Sequence, residues 1–151
     1  PAFDYEHRTP AILHGWRRRF WQGSEDHRGV PGAPGRVVTL VREAGAVTHG
    51  VIFRVPEAGR SQVGARLDHR EKGGYERHSL EVVLADGSRR EAVTYVATEA
   101  NTHFLGPAPM DASGPNVEYV LRLAEALREM GAHDEEVFAL EALLRQEPAR
   151  G

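Results

Sequence analysis

The chain contains no cysteine, a single lysine and no apolar run close to the length of a membrane span. Without cysteine the protein forms no disulfide and has no thiol nucleophile, which excludes Cys/His catalysis and is compatible with a reducing compartment. A bilayer span needs about 20 apolar residues, and a secretion signal needs an apolar N-terminal core. Neither pattern occurs in these 151 residues, so we expect a cytoplasmic protein with no membrane partner.

Motifs for metal and phosphate binding are also missing. The eight histidines are scattered along the chain and form no His-x-x-x-His pair, so no metal is expected. No P-loop occurs, and no G-x-G-x-x-G follows a predicted strand, so we expect no phosphate-containing cofactor. A net charge of -3 gives no general reason to expect nucleic acid as a partner.

One segment, 17–24, departs from this acidic average. Its three consecutive arginines precede Phe20 and Trp21, and such a mixture can contact phosphates and stack on bases. The same composition is also typical of a strand whose aromatic side chain packs inward while its arginines are solvated or form ion pairs. We favour the strand and keep RNA binding through this segment as an alternative.

The middle of the chain predicts antiparallel strands with one inserted helix. Two segments rich in β-branched residues, 36–41 and 46–55, predict a β-hairpin with a Glu-Ala-Gly turn. The segment 57–69 predicts a short amphipathic helix. A second hairpin is predicted from 78–84 and 91–98, which an Asp-Gly turn separates.

The C-terminal third has helical periodicity. Apolar residues recur every three or four positions until Gly131, and a second helix is predicted from the N-cap Asp134 to Pro148. We expect the apolar faces to form the core; their members are Val117, Val120, Leu121, Ala124, Leu127, Met130, Val137, Phe138, Leu140, Leu143 and Leu144. Strands followed by helices, without βαβ alternation, predict an α+β fold in one domain over 1–151.

The segment 70–75, Arg-Glu-Lys-Gly-Gly-Tyr, contains the main candidate for chemistry. Two successive glycines let the backbone take positive φ and approach a ligand without an intervening Cβ. The carboxylate just before them, Glu71, could therefore face a small bound molecule and act as a general base. The alternative is that Glu71 is a solvated residue of the last helical turn and that Gly73 and Gly74 only end the helix.

Six short segments are distinctive together. They are Arg-Arg-Phe-Trp-Gln-Gly-Ser at 18–24, Asp-His-Arg-Gly at 26–29, Pro-Gly-Arg-Val-Val-Thr-Leu at 34–40, Arg-Glu-Lys-Gly-Gly-Tyr at 70–75, Leu-Gly-Pro-Ala-Pro at 105–109 and Phe-Ala-Leu-Glu at 138–141. In composition and order they resemble the ChaC-type γ-glutamylcyclotransferases, which act on glutathione. The resemblance covers nearly the whole chain, and it implies a γ-glutamylcyclotransferase-like fold in which a mixed β-sheet or barrel packs against helices.

The resemblance also implies a reaction, the conversion of glutathione to 5-oxoproline and cysteinylglycine without a cofactor. The α-amino group of the γ-glutamyl moiety attacks its own γ-carbonyl, and Glu71 is implied to be the general acid/base. Tyr75, Gly73, Gly74 and Tyr119 are expected to contact this small-molecule substrate. Packing is the alternative role for both tyrosines, and we expect a monomer.

Two features depart from the family pattern. The family's N-terminal Tyr-Gly-Ser-Leu loop, whose amides are expected to hold the γ-glutamyl carboxylate and γ-carbonyl, does not occur here, and the stretch near 110–113 is short. We expect the complete protein to have both segments, because loss of a buried first strand would expose an edge of the sheet. A cyclotransferase for other γ-glutamyl amines or dipeptides and a non-catalytic γ-glutamyl-binding module are the alternative functions.

Overall fold

The computed structural model of the protein describes residues 3–24, 35–70, 74–107 and 116–146. Its elements are strands β1 (His7–Ser24) and β2 (Gly35–Arg54), a 3₁₀ turn (Glu57–Gly59), helix α1 (Arg60–Arg70), strands β3 (Tyr75–Leu84) and β4 (Arg89–Ala97), and helices α2 (Asn116–Glu129) and α3 (Glu135–Gln146). The strands form one sheet in the order β2-β1-β3-β4, with β3 antiparallel to both β1 and β4. The predicted α+β class is confirmed.

The first predicted hairpin is wrong, because its two segments form the single strand β2 of 20 residues. Gly45 lies where the turn was expected and has a φ of 77°. A glycine can adopt this value inside a strand, and the chain continues through Gly45 without reversing its direction. The Thr48 hydroxyl donates to the carbonyl of Trp16 at 2.7 Å, which fixes this part of β2 to β1. A glycine-containing break in a β-branched run therefore did not mark a turn here.

The second predicted hairpin is confirmed. Strands β3 and β4 pair from Tyr75 with Ala97 to Val83 with Arg89. The turn closes with a 2.8 Å hydrogen bond from the Leu84 amide to the Ser88 carbonyl, and Gly87 takes a φ of 81°. The Ser88 hydroxyl and amide donate to the Asp86 carboxylate and lower its pKa below the usual value.

The predicted helix over 57–69 is confirmed as the 3₁₀ turn followed by α1. No side chain of α1 between residues 60 and 69 is buried, so little apolar packing holds this helix in place. None of the helices in the described residues has the length and apolar character that a bilayer crossing requires.

The chain divides into two compact units. The sheet unit comprises Pro1–Arg17 and Leu40–Thr102, and the helical unit comprises Arg18–Thr39 and His103–Gly151. Strands β1 and β2 each contribute one part to each unit. The single domain predicted over 1–151 stays a prediction.

Apolar side chains of both C-terminal helices form the core of the helical unit, as predicted. The buried cluster consists of Phe20, Val120, Ala124, Leu127, Ala132 and Val137. Helix α2 ends before Gly131, whose φ is 65°, and Asp134 caps α3 by accepting a 3.2 Å hydrogen bond from the Val137 amide. Three predicted core residues lie outside this cluster. Val117 and Leu121 are half-buried and face a surface cleft. Leu143 is 59% exposed, because it lies roughly 120° around α3 from Val137.

Candidate active site

The arginines of 17–19 form ion pairs within the protein. Arg17 pairs with Glu43 in the sheet unit. In the helical unit, Arg18 contacts Asp134 at 2.8 Å and Arg19 contacts Glu136 at 2.6 Å. Since Phe20 on the same strand is only 3% exposed, the interpretation of this segment as a packed strand with paired arginines is confirmed.

The main candidate, Glu71, lies outside the described residues, as does Gly73. The chain is described up to Arg70, where α1 ends, and again from Gly74 and Tyr75, where β3 begins. The surroundings of the candidate site are therefore built from α1 before this segment and from β3 and its partner β4 after it.

Gly74 occupies a backbone position that only glycine fits. Its φ is 97°, and a Cβ added there would lie 2.5 Å from Cγ and 2.6 Å from Nδ2 of Asn101. As noted from the sequence, the glycine pair allows positive φ, and Gly74 adopts it. The close neighbour is, however, a side chain of the protein, and the contact of Gly74 with substrate stays a prediction.

Asn101 is a site residue that the sequence reasoning missed. Its side chain lies directly against Gly74, and the residue is only 8% exposed. Asn101 belongs to the polar turn that follows β4. Its backbone N–H donates to the Thr98 carbonyl at 2.9 Å. The one available indication was the position of this Asn in a Thr-Glu-Ala-Asn turn, which is common in loops of no special function.

Asp68 connects the last turn of α1 to the neighbouring strands. The Tyr95 hydroxyl on β4 donates to Asp68 Oδ1 at 2.5 Å, and the Arg77 guanidinium on β3 lies 3.6 Å from Oδ2. Sequence reasoning also missed this contact, because Tyr95 and Asp68 are 27 residues apart. The Asp68 carboxylate therefore connects the last turn of α1 to β3 and β4. Asp68 precedes Glu71 by three positions in the sequence.

Tyr75 is the first residue of β3 and is half-buried. Its backbone pairs in register with Ala97 on β4, so the sheet holds it next to the Gly74 position. A role for its hydroxyl in substrate binding stays a prediction.

The family model described as "ChaC-like protein" matches residues 1–147. This chain belongs to the ChaC-like family. Its relatives include the glutathione-specific γ-glutamylcyclotransferase 1 of Homo sapiens, 37% identical over 93% of this chain and 71% of the human protein. The glutathione-specific γ-glutamylcyclotransferase of Saccharomyces cerevisiae is 32% identical over 86% of this chain and 81% of the yeast protein.

Solved structures support the same fold. A crystal structure of the γ-glutamyl cyclotransferase specific to glutathione from yeast aligns with a TM-score of 0.84 at 28% identity, covering 97% of this chain and 91% of the yeast chain. A second structure, of a γ-glutamyl cyclotransferase only 17% identical, aligns with a TM-score of 0.61 over 95% of this chain and 75% of its own. The γ-glutamylcyclotransferase-like fold implied by the sequence is confirmed.

Three of the distinctive segments of this ChaC-like chain meet in the helical unit. The Arg36 guanidinium donates to the carbonyl of Phe20 at 2.9 Å and to that of Gly106 at 3.0 Å. The Leu105 amide also donates to the Trp21 carbonyl at 2.6 Å. One arginine thus joins the segments at 18–24, 34–40 and 105–109, which indicates a structural role for at least part of these motifs.

Gln22 in the same unit is a buried polar residue. It is 2% exposed, and no donor in the described part of the chain reaches its Oε1. A buried acceptor without a donor is costly, so a donor from outside the described residues would be stabilising at Gln22 Oε1.

Tyr119 lies on α2 in the helical unit. Its ring meets Phe20 edge to face, with 6.1 Å between the ring centroids, and it packs against the buried cluster. This contact is the packing alternative given by the sequence, and the substrate contact of Tyr119 stays a prediction.

Two surface clefts contain none of the predicted site residues. The larger, of about 700 Å³, runs along the helical unit and is lined by Val117, Glu118, Leu121, Arg122, Glu125, Arg128, Glu129 and Arg145. The other, of about 610 Å³, belongs to the sheet unit and is lined by Leu13, His14, Trp16, Leu80, Glu81, Val83, Gly87 and Arg89. We place the candidate site at Gly74 instead, because neither cleft combines a polar lining with the glycine-rich segment.

Among the described residues, no three His, Asp or Glu side chains are grouped so that they could hold a metal ion.

Proposed function

We propose that this protein is a glutathione-specific γ-glutamylcyclotransferase that releases 5-oxoproline and cysteinylglycine. The observation that carries the proposal is the identity of 37% and 32% with human and yeast proteins of that name over most of the chain. The fold of the yeast protein specific to glutathione, with its TM-score of 0.84, supports the same assignment.

The reaction needs one group to move a proton and a site that folds the substrate onto itself. The α-ammonium of the γ-glutamyl moiety first loses a proton, and the resulting amine attacks the γ-carbonyl carbon. The new C–N bond closes a five-membered ring, and the ring nitrogen then gives up its second proton. The γ-amide bond breaks, and the two protons lost by the α-nitrogen leave on the cysteinyl nitrogen, which becomes the ammonium group of cysteinylglycine. Nucleophile and electrophile belong to one molecule, so correct folding of the substrate supplies a large part of the rate enhancement.

Glu71 is the residue we propose as this acid/base. A carboxylate can accept the ammonium proton and return it to the leaving nitrogen, which requires no metal and no second nucleophile. Gly74, at positive φ, and Tyr75, fixed at the start of β3, follow it closely in sequence and support a backbone-lined substrate position here. We propose that Gly73, Gly74 and Tyr75 form that position.

The proposal is tested with a product assay on wild type and on Glu71→Gln. Glutathione and γ-Glu-Ala are supplied separately, and 5-oxoproline is quantified. We expect product from glutathione with the wild type, and a rate at least about 100-fold lower with Glu71→Gln, because the amide is nearly isosteric but cannot accept a proton. The matched control is Glu57→Gln, which alters an exposed carboxylate before α1 and should keep the wild-type rate.

The results separate the alternatives. Product from γ-Glu-Ala alone would keep the mechanism and change the substrate, whereas no product from either compound would favour a non-catalytic γ-glutamyl-binding module. A folded Glu71→Gln variant with the wild-type rate would remove Glu71 from the mechanism. The monomeric state and the cytoplasmic location stay predictions.

A further inference from the structure

The start of β3 is held by one short piece of the sheet unit, which is the end of β4 and the turn that follows it. The backbone of Tyr75, the first residue of β3, pairs with Ala97, the last residue of β4. The chain then turns, and the Asn101 N–H closes the turn by donating to the Thr98 carbonyl. This turn brings the Asn101 side chain against Gly74. Gly74 and Tyr75, two successive residues, are therefore both in contact with the same piece of the fold.

Gly74 is the point at which the direction of Tyr75 is most easily changed. A glycine adopts positive and negative φ with similar ease, so the backbone on either side of it is readily redirected. At the observed φ of 97°, the Asn101 side-chain amide fills the space of a Cβ, with Cγ 2.5 Å and Oδ1 2.8 Å from the position that a Cβ would take. Another conformation of Gly74 would lose this packing, so the contact favours the observed one.

The residues that support this contact are buried. Asn101 is 8% exposed, and Val96 and Ala97 at the end of β4 are 3% and 1% exposed. Close-packed surroundings leave such side chains little room to shift. The Asn101 side chain is therefore a firm support for Gly74, although both residues lie at the end of a hairpin.

We propose that Asn101 is a positioning residue for Tyr75. By packing on Gly74, Asn101 fixes the direction in which the Tyr75 side chain leaves the backbone, and with it the place of the Tyr75 hydroxyl. The inference rests on the proposed function, in which Gly74 and Tyr75 form part of the substrate position. Asn101 acts through Tyr75 and is not required to touch the substrate.

The physical reason is the sensitivity of catalysis to the placement of groups that contact the substrate. A misplacement of about 1 Å, caused by a change away from the chemistry, can cost up to about 100-fold in rate. Because a substrate-binding hydroxyl is worth less than the reacting groups themselves, the expected loss at Tyr75 is smaller, about fivefold.

The test is a double-mutant cycle of Asn101→Ala and Tyr75→Phe, read as kcat/KM for release of 5-oxoproline from glutathione. We expect each single variant to lower kcat/KM about fivefold and the double variant to lose no more than either one, because Asn101 acts only through the Tyr75 hydroxyl. Hydrogen exchange of the backbone amides of 74–76 should rise in Asn101→Ala. Should Asn101→Ala fail to fold, Asn101→Ser takes its place, because serine also withdraws the amide from Gly74 but keeps a polar side chain in the turn.

Two further variants distinguish positioning from a general weakening of the turn. Asn101→Asp has nearly the shape of the wild-type side chain, so it should keep kcat/KM within about twofold of the wild type. Glu99→Ala changes an exposed side chain of the same turn and should leave both kcat/KM and the exchange of 74–76 unchanged.

The outcomes separate this inference from the proposed function. An active wild type whose kcat/KM is unchanged by Asn101→Ala or by Tyr75→Phe would overturn the positioning role and leave the proposed function intact. A loss of about 25-fold in the double variant, the product of the two single losses, would also overturn it, because the two residues would then act independently. An equal loss in Glu99→Ala or in Asn101→Asp, or unchanged exchange in Asn101→Ala, would do the same. A wild type without activity on either γ-glutamyl compound would overturn both.

Discussion

The helices of the two units are attached, each within its own unit, by different kinds of contact. The helical unit has a contiguous cluster of six buried apolar side chains from β1, α2, α3 and the turn between the helices. In the sheet unit, α1 has no buried side chain among residues 60–69, and its last turn is fixed by a hydroxyl-carboxylate contact. Buried apolar area dominates stability, whereas exposed polar contacts contribute little. The sheet itself also buries apolar side chains, among them Trp16, Val82 and Val96. The comparison therefore separates the apolar attachment of α2 and α3 in the helical unit from the polar attachment of α1 in the sheet unit.

One carboxylate of each unit shows a related contrast in its ion pairing. In the helical unit, the Glu141 side chain is 4% exposed and accepts hydrogen bonds from Arg128 and Arg145. In the sheet unit, the pair of Arg89 with Glu81 is 70% and 60% exposed. Of these two carboxylates, only that of Glu141 is shielded from water. Loss of its arginine partners would therefore leave a poorly solvated carboxylate, whereas loss of Arg89 would leave Glu81 in water.

The largest effect is expected from Leu127→Ala in the helical unit. Leu127 has no exposed surface, and truncation of a fully buried leucine leaves a cavity, so the free energy of unfolding should fall by about 3 kcal/mol. The kcat of the folded variant should match that of the wild type. Urea unfolding and the 5-oxoproline assay at a temperature where the variant is folded check both statements. A large fall in kcat would show that the core also controls the site.

A smaller effect is expected from the buried carboxylate when the pH is lowered. The Arg128 hydrogen bond, assisted by Arg145, lowers the pKa of Glu141 from its usual 4.5 to about 2. Because the pKa is lower in the folded protein, the carboxylate stabilises the fold above about pH 5, and this contribution is lost as the pH falls from 4.5 towards 2.

Melting temperatures of wild type and Glu141→Gln across this range test the prediction. The wild type should be more stable near pH 7, and the difference should shrink below pH 4.5. Glu81→Gln, from the exposed pair of the sheet unit, is the matched control and should differ little from wild type at any pH. A constant difference between wild type and Glu141→Gln would contradict the lowered pKa.

The smallest effect is expected from Tyr75→Phe in the sheet unit. The backbone of Tyr75 pairs with Ala97, and phenylalanine keeps both that pairing and the ring, so the melting temperature should not change. If the hydroxyl contacts substrate or Glu71, its loss should lower kcat/KM several-fold, about 1 kcal/mol in transition-state binding. An unchanged kcat/KM would assign Tyr75 to packing.

The sequence predicted the local elements well where periodicity was strong. Helices α2 and α3 and the β3-β4 hairpin follow apolar spacing, an Asp-Gly turn and an Asp cap, all of which act over a few residues. The β2 strand was mistaken for a hairpin, because Gly45 can occupy either a turn or a continuous strand. Pairing of the segment with β1 decided between them, and no local pattern encodes that pairing.

By itself, the sequence determined the α+β class, the apolar faces of the helices, the candidate Glu71 and the resemblance to the ChaC-type family, since these depend on short patterns and their order. Only the tertiary structure placed Asn101 against Gly74, Tyr95 against Asp68 and two arginines around the buried Glu141. Most of these contacts join residues far apart in the chain, and they form only after strands and helices have packed in one register. Such contacts depend on the summed packing of the fold, and no spacing within one segment encodes them.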